Sequence, residues 1–551
     1  MSAPGILYVT IQPRRGLPPA QFHEWYNNEH GPARLRMPHI FSSGLRYESR
    51  RAGPEAESGA AAGAARRFMA VYDVTAMRHL ASDAYGALRA GRSVREAATM
   101  GQVDVARSCY DLLFAKQAPR FAPLESLGDG DGAAAGIVTV AVAVATTAAP
   151  RAGERYRTWF VDEHVGMLAG VPGWLRSRLF KTSSVEAGAE AVSEYLALHD
   201  YAGDHGLGGA AHAASLDTPW RRDVLDECVA AEHRRTWSLL YVFGPAPRDL
   251  AALSALPRTA AFTSADKRTS TAPGPDAAIS SYATTADALS IPYRLQGNPS
   301  PRAPTVAFCN SLLTSLHMWD PLVAILQRTR PDLRILRYDA RGRHPIPQPP
   351  VSATLDALAA DLDQLLGALR ITQLHALVGV SLGGATALNF AIRHPRRLAK
   401  LIACDFNAAS SAANTQAWKG RVAVAEGDAG RGITTLAEQT VARWFHPASM
   451  AKTDVVRCMT DMVAANDVQG FKHSCTALWD YNMEPEMRAC PVPALLVVGE
   501  GDAKGALVKA MDGFRGMLGQ NGAELRIVPN AGHLPMCEQP QAFWEAIRDF
   551  L

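Results

Sequence analysis

The chain has 551 residues, of which 48% are hydrophobic and 20% charged. That is the balance of a folded protein of roughly two to four domains, and it excludes a fibrous or largely disordered chain. Lys plus Arg number 56 against 53 Asp plus Glu, a net charge of +3, so no electrostatic footprint points to nucleic acid or an anionic membrane. No apolar run reaches the roughly 18 residues of a membrane span. The N-terminal stretch lacks the basic and then apolar pattern of a secretion signal. The eight cysteines are scattered, without a CxxC pair or zinc spacing. These features predict a cytoplasmic protein with free thiols, a small-molecule substrate, no metal and no cofactor.

The first half of the chain repeats itself. Trp25-Tyr26-Asn27-Asn28-Glu29-His30 is answered by Trp159-Phe160-Val161-Asp162-Glu163-His164, and a proline, Pro38 or Pro172, follows eight residues after each histidine. An apolar strand-like run precedes each motif, at residues 5–11 and 136–142. Further strand candidates follow at 68–74 and 103–114, and at 194–199 and 237–243. Helical stretches at 84–98 and 219–232 complete a β-α-β-β-α-β order in each copy, the ferredoxin-like arrangement. One such unit leaves a sheet face bare, so two copies, at 1–120 and 130–245, are expected to close an α+β barrel within one chain. Adjacent Glu and His on a helix point about 100° apart, so neither Glu29-His30 nor Glu163-His164 suits chelation of one metal ion. Packing at the barrel end is the plainer reading of both pairs. The WxxxEH pattern resembles EthD-like proteins of the dimeric α+β barrel superfamily.

Residues 246–284, rich in proline and small residues, read as a linker. From there the pattern alternates strands (305–308, 335–338, 374–379, 401–404, 494–498, 525–528) with helices (355–369, 383–393). That alternation predicts a mostly parallel sheet covered on both faces, over 285–551.

Gly379-Val380-Ser381-Leu382-Gly383 follows one of these apolar runs and opens a helix, the setting of a nucleophile elbow. A serine hydroxyl needs a base, and the base needs an orienter. Asp502 lies just past a strand, and one helix and one strand later comes His533. The order Ser, Asp, His is that of α/β-hydrolases. Ser381 is therefore the expected nucleophile, His533 the base and Asp502 the orienter, with Glu500 and Asp405 as reserve acids. The N–H groups of Leu382 and Leu312 are the expected oxyanion donors.

Asn310-Ser311-Leu312, Met318-Trp319-Asp320, Arg337 to Gly342 and the Ser381 elbow resemble 3-oxoadipate enol-lactone hydrolases, as do Trp418, Arg421, Arg443-Trp444-Phe445 and Gly470-Phe471 between Asp405 and Cys490. The resemblance implies a helical cap at about 406–489 and a lactone or ester substrate. Trp319, Arg421, Arg443, Trp444 and Trp479 are candidate substrate contacts, with the arginines suited to a carboxylate. Two departures stand out. The acid turn reads Asp502-Ala503-Lys504-Gly505, without the family's Thr-Pro, and the cap carries bulky Trp479 and Tyr481. The whole is predicted to be a multidomain protein, a tandem ferredoxin-like α+β barrel followed by a capped α/β-hydrolase. Its leading activity is hydrolysis of a lactone or small ester. A C–C cleaving or cyclising tailoring enzyme, and a ligand-binding or scaffold protein built on the first half, are the alternatives.

Overall fold

The structure, a computed structural model, describes residues 3–50, 66–119, 121–185, 194–344, 346–427 and 431–551. It divides into two units, Met1–Pro247 and Arg248–Leu551.

The first unit contains β1 (Gly5–Pro13), β2 (Phe41–Ser49), β3 (Phe68–Val74), β4 (Val103–Gln117), β5 (Val138–Thr146), β6 (Trp174–Thr182), β7 (Glu194–Tyr201) and β8 (Val229–Val242). They form a closed barrel in the order β1-β3-β2-β8-β5-β7-β6-β4, and every pairing is antiparallel. The two seams, β2 with β8 and β4 with β6, join one repeat to the other, so each copy covers the sheet edges of its sibling. Equivalent residues keep equivalent registers: Leu7 pairs with Tyr72 and Val140 with His199. Period-2 alternation sorts the strand residues. Leu7, Val9 and Ile11 pack with Phe22 and Trp25 on the helix side, whereas Ile6 joins Leu45, Tyr47 and Trp237 in the other core.

Four elements depart from the sequence reading. β2 and β6 were not located, because the buried faces of these strands carry Arg46, Arg176, Ser177 and Arg178, which break the apolar pattern. Arg176 pairs with Asp200 at 2.9 Å, and Arg178 with Asp73 at 2.8 Å. The predicted helix 84–98 is two helices, Asp83–Ala90 and Val94–Met100, the second capped by the Ser93 hydroxyl. The predicted helix 219–232 stops at Cys228, and the chain continues as β8. Both WxxxEH motifs wind into a π-helical turn, Tyr26–His30 and Phe160–His164.

The second unit is a ten-stranded sheet of β9 (Phe262–Thr263), β10 (Ser270–Ala272), β11 (Ala278–Thr284), β12 (Ser290–Gly297), β13 (Thr305–Cys309), β14 (Arg334–Tyr338), β15 (Ala376–Val380), β16 (Leu401–Cys404), β17 (Ala494–Gly499) and β18 (Glu524–Val528). Its order is β18-β17-β16-β15-β13-β14-β12-β11-β10-β9. The strands β13 to β18 run parallel, and β9 to β12 add an antiparallel flank. The expected linker at 246–284 is therefore corrected. Leu250–Ser254 is helical and 262–284 supplies three strands, which are mostly Ala, Ser and Thr and carry only Phe262, Ile279 and Tyr282 as large apolar residues. Between β16 and β17 rise the helices Ala412–Glu426, Gly432–Trp444, Thr453–Ala464 and Val468–Cys475, at the position predicted for a cap. Among the described residues no helix is long and apolar enough to cross a membrane. All eight cysteines are free thiols, seven of them buried.

Candidate active site

Strand β15 is buried at every position, and the chain leaves it through Ser381 at φ 59°, ψ −120° to enter the helix Leu382–Arg393. A positive φ at a non-glycine residue is strained and holds the side chain out at the turn. The flanking glycines are steric necessities. A Cβ at Gly379 would sit 2.0 Å from the Gly383 carbonyl oxygen, and one at Gly383 would sit 2.1 Å from that of Cys309.

Ser381 Oγ lies 2.9 Å from His533 Nε2, and His533 Nδ1 lies 2.7 Å from Asp502 Oδ2. The three residues expected from chain order are thus brought together in one hydrogen-bonded relay. Asp502 is buried and His533 partly so, which keeps the relay in a medium of low polarity where hydrogen bonds are strong. The N–H groups of Leu312 and Leu382 donate to no protein acceptor among the described residues, leaving both for an oxyanion.

His533 is held from three sides. Its own N–H donates to the Trp444 carbonyl at 2.7 Å, and the Trp444 ring stacks on the imidazole at 5.5 Å and 27°. Glu538, fully buried, accepts from Gly532 N–H at 2.9 Å, Leu534 N–H at 3.2 Å and His446 N–H at 2.7 Å. Glu538 thereby ties the histidine loop to the cap segment. No local pattern in the sequence marked it, because its partners are backbone groups brought in by the tertiary fold.

The reserve acids occupy other places. Glu500 is exposed and accepts from Asn530 N–H at 3.1 Å, bracing the histidine loop. Asp405, at φ 47°, is buried at the end of β16, and its Oδ1 accepts from Gly499 N–H at 2.8 Å. Burial and the neighbouring Asp502 carboxylate hold its pKa well above the usual carboxyl range.

The expected substrate contacts divide. Trp319 is fully buried, packs on Phe308 at 4.8 Å and donates to Asn310 Oδ1 at 2.9 Å, so it shapes the loop that carries Leu312. Asn310 completes that loop by donating to the Tyr338 carbonyl at 2.8 Å. Trp418 lies under the Arg421 guanidinium at 4.2 Å. Trp479 is half-buried, with Lys419 Nζ 5.3 Å above its ring. Neither Arg421 nor Arg443 pairs with a carboxylate among the described residues. Burial and the charge of Arg421 push Arg443 down to about 10, while Asp502 acts in the opposite sense. The two guanidinium groups thus repel each other electrostatically.

Residues 304–540 match the family model described as the alpha/beta hydrolase fold. This part of the chain is an α/β-hydrolase domain. The 3-oxoadipate enol-lactonase 2 of Acinetobacter baylyi is 29% identical over 246 residues, 44% of this chain and 87% of that one. A hydrolase from Pseudomonas aeruginosa PA01 is 30% identical over 49% of this chain and 97% of its own, with a TM-score of 0.44. The enol-lactonase of Burkholderia xenovorans LB400 is 29% identical over 49% of this chain and 98% of its own, with a TM-score of 0.43. Within this α/β-hydrolase the elbow, the relay and the cap helices all fall inside residues 304–540.

Proposed function

We propose that the enzyme cleaves a lactone or carboxylic ester bearing a free carboxylate, through an acyl-enzyme on Ser381. The observation that carries this reading is the unbroken relay from Ser381 Oγ through His533 to Asp502. Ser381 Oγ attacks the substrate carbonyl while His533 Nε2 takes its proton, and Asp502 holds the Nδ1–H and offsets the imidazolium charge. The N–H groups of Leu312 and Leu382 face the tetrahedral oxyanion. His533 then protonates the leaving oxygen. In the second half it draws a proton from water, which attacks the acyl carbon, and it returns that proton to Ser381 Oγ as the acid is freed. Arg421 and Arg443 receive the carboxylate, and the relatives' names, enol-lactonases, fit a lactone of that kind.

The finer reading of the first unit is a tandem ferredoxin-like barrel of EthD-like type, supported by the β-α-β-β-α-β order and by WxxxEH in both copies. Buried free thiols support a reducing, cytoplasmic setting. The test is Ser381→Ala assayed beside the wild type on an enol-lactone and an aryl ester, with mass spectrometry of the quenched wild type. Loss of turnover on the order of 10⁴-fold, with an acyl adduct on Ser381, is expected. A folded Ser381→Ala enzyme that keeps most of its activity overturns the assignment.

A further inference from the structure

The turn that carries Leu312, one of the two proposed oxyanion donors, is held from the cap. Residues 310–316 follow β13, and the core of the domain fixes both ends of this loop. Asn310 Nδ2 donates to the Tyr338 carbonyl at 2.8 Å, and Leu316 N–H donates to Asp339 Oδ1 at 2.6 Å. Between them Ser311–Thr314 closes a four-residue turn. Thr314 donates twice to the Ser311 carbonyl, from its N–H at 3.2 Å and from its hydroxyl at 2.7 Å. Those bonds orient the peptide between Ser311 and Leu312, whose N–H is the oxyanion donor.

The turn is strained by its own sequence. Leu313, its third residue, has φ 69°, a conformation for which such turns use glycine. A Cβ crowds the backbone there. Leu313 is also buried, so its carbonyl needs a partner. Among the described residues, the hydrogen bonds that reach the turn from outside the loop all end on that carbonyl. Asn466 Nδ2 donates to it at 2.7 Å and Arg343 Nη1 at 3.4 Å.

The same two donors close the end of a cap helix. The last carbonyls of the helix Thr453–Ala464 lack intrahelical donors, as at any helix end. Asn466 Nδ2 donates to the Val463 carbonyl at 2.8 Å and lies 3.3 Å from that of Met462, and Arg343 Nη1 donates to the Met462 carbonyl at 2.8 Å. Two carbonyl oxygens from the cap and one from the turn thus converge on one amide and one guanidinium. Without these donors the negative pole of the helix would press against the Leu313 carbonyl. Asn466 is buried and Arg343 half-buried, so water replaces them poorly. Ser315 N–H, 3.2 Å from Met462 Sδ, adds a further tie to the same helix.

We infer that Asn466 and Arg343 are positioning residues for the hydrolysis: they lock the turn Ser311–Thr314 to the cap, and the cap thereby sets the direction of the Leu312 N–H. Both act through the Leu313 carbonyl and not on the reacting atoms. The aim of the Leu312 N–H counts most when negative charge sits on the former carbonyl oxygen. Loss of the lock therefore falls on the transition state and spares ground-state binding. A displacement of the helix Thr453–Ala464 carries the donor with it.

The inference rests on the hydrolase reading, and the test separates the two. Asn466→Ala and Arg343→Met are compared with the wild type and with Ser381→Ala on p-nitrophenyl acetate near neutral pH. The inhibition constant of phenylboronic acid is measured beside it, since boron adds to Ser381 Oγ and sets a boronate oxygen where the oxyanion forms. Asn466→Ala should lower kcat by about tenfold, a part of the roughly 10²–10³ that loss of a whole oxyanion donor costs, with KM within about twofold. Boronate affinity should fall by about the same factor. Arg343→Met should show the same pattern at about threefold, and Arg343→Lys, which keeps a cationic donor for Met462, should recover it. If Asn466→Ala does not fold, the two Arg343 variants decide. Unchanged kcat in the folded variants, a loss carried by KM, or a kcat loss without a boronate loss overturns the inference and leaves the hydrolase reading standing. A folded Ser381→Ala enzyme that stays active overturns both.

Discussion

Asp405 and Asp502 place carboxyl oxygens within 4.8 Å of each other and of a His533 nitrogen, and Asp405 Oδ2 is buried without a donor. Two acids so close and so buried do not both ionise. Asp502 faces the imidazole, so the proton resides on Asp405, whose pKa is raised by burial first and by Asp502 second. The sign follows from that shift. A carboxyl whose folded pKa is raised contributes its stability below the unfolded pKa of about 4 and loses it as pH rises toward the folded value. Asp405→Asn copies the protonated acid and removes the titration. Its Tm should gain on the wild type as pH is raised from 5 to 8.5, with kcat within about threefold. Asp502→Asn, which imposes the wrong imidazole tautomer, should lose on the order of 10⁴ in kcat. The reverse ranking of the two variants moves the orienting role to Asp405.

Glu538 bears on the same imidazole from behind. It accepts three backbone N–H groups, one on each side of His533 and one from the cap segment. An amide in its place turns an NH2 group toward at least one of those donors. Glu538→Gln should therefore cost about 1–3 kcal/mol of stability. It should also lower kcat with little change in KM, since it displaces the base and leaves the substrate contacts alone. Unchanged Tm and kcat would show that the histidine loop holds its shape without this carboxylate.

The first unit closes its barrel within one chain, each repeat covering the edges of the other at the β2–β8 and β4–β6 seams. A closed barrel presents no open edge for pairing with another chain. A fragment of residues 1–247 should be soluble, monomeric by light scattering, and should unfold in one cooperative transition. A fragment that is folded only as a dimer through its sheets contradicts this.

How much of this was visible in the sequence depended on whether a signal was local. Strands with apolar faces, such as β1, β5 and β15, stood out, and so did Ser381 between its glycines, because the elbow needs those residue types in a row. β2 and β6 did not, because Arg176 and Arg178 on β6 are paid for by Asp200 and Asp73, carried on β7 and β3. The flank β9–β11 reads as a linker because its strands are mostly Ala, Ser and Thr and two of them are three residues or fewer. Trp319 lay in the resemblance as a ligand contact, yet its N–H is spent on Asn310. Glu538 binds backbone, and backbone partners leave no trace in side-chain spacing.

Substrate choice turns on the cap. Arg421 and Arg443 lack carboxylate partners among the described residues, and the second is held down to about 10 by burial and by the first. An anion between them relieves both effects, so binding energy is available to a carboxylate and not to a neutral ester. Arg443→Gln should raise KM by about tenfold for a carboxylated lactone and leave a neutral aryl ester within about twofold. Size is the second determinant. Trp418 and Trp444 are buried in the cap helices and Trp479 is half-buried, so the cap is rich in large rings, each of a kind that buries ~150–250 Å². A lactone with an aromatic or similarly bulky apolar body should therefore show a higher kcat/KM than the small 3-oxoadipate enol-lactone. If the small diacid lactone is the faster substrate by tenfold or more, the cap tryptophans serve packing alone. The carboxylate half of the argument then stands or falls on the Arg443→Gln response by itself.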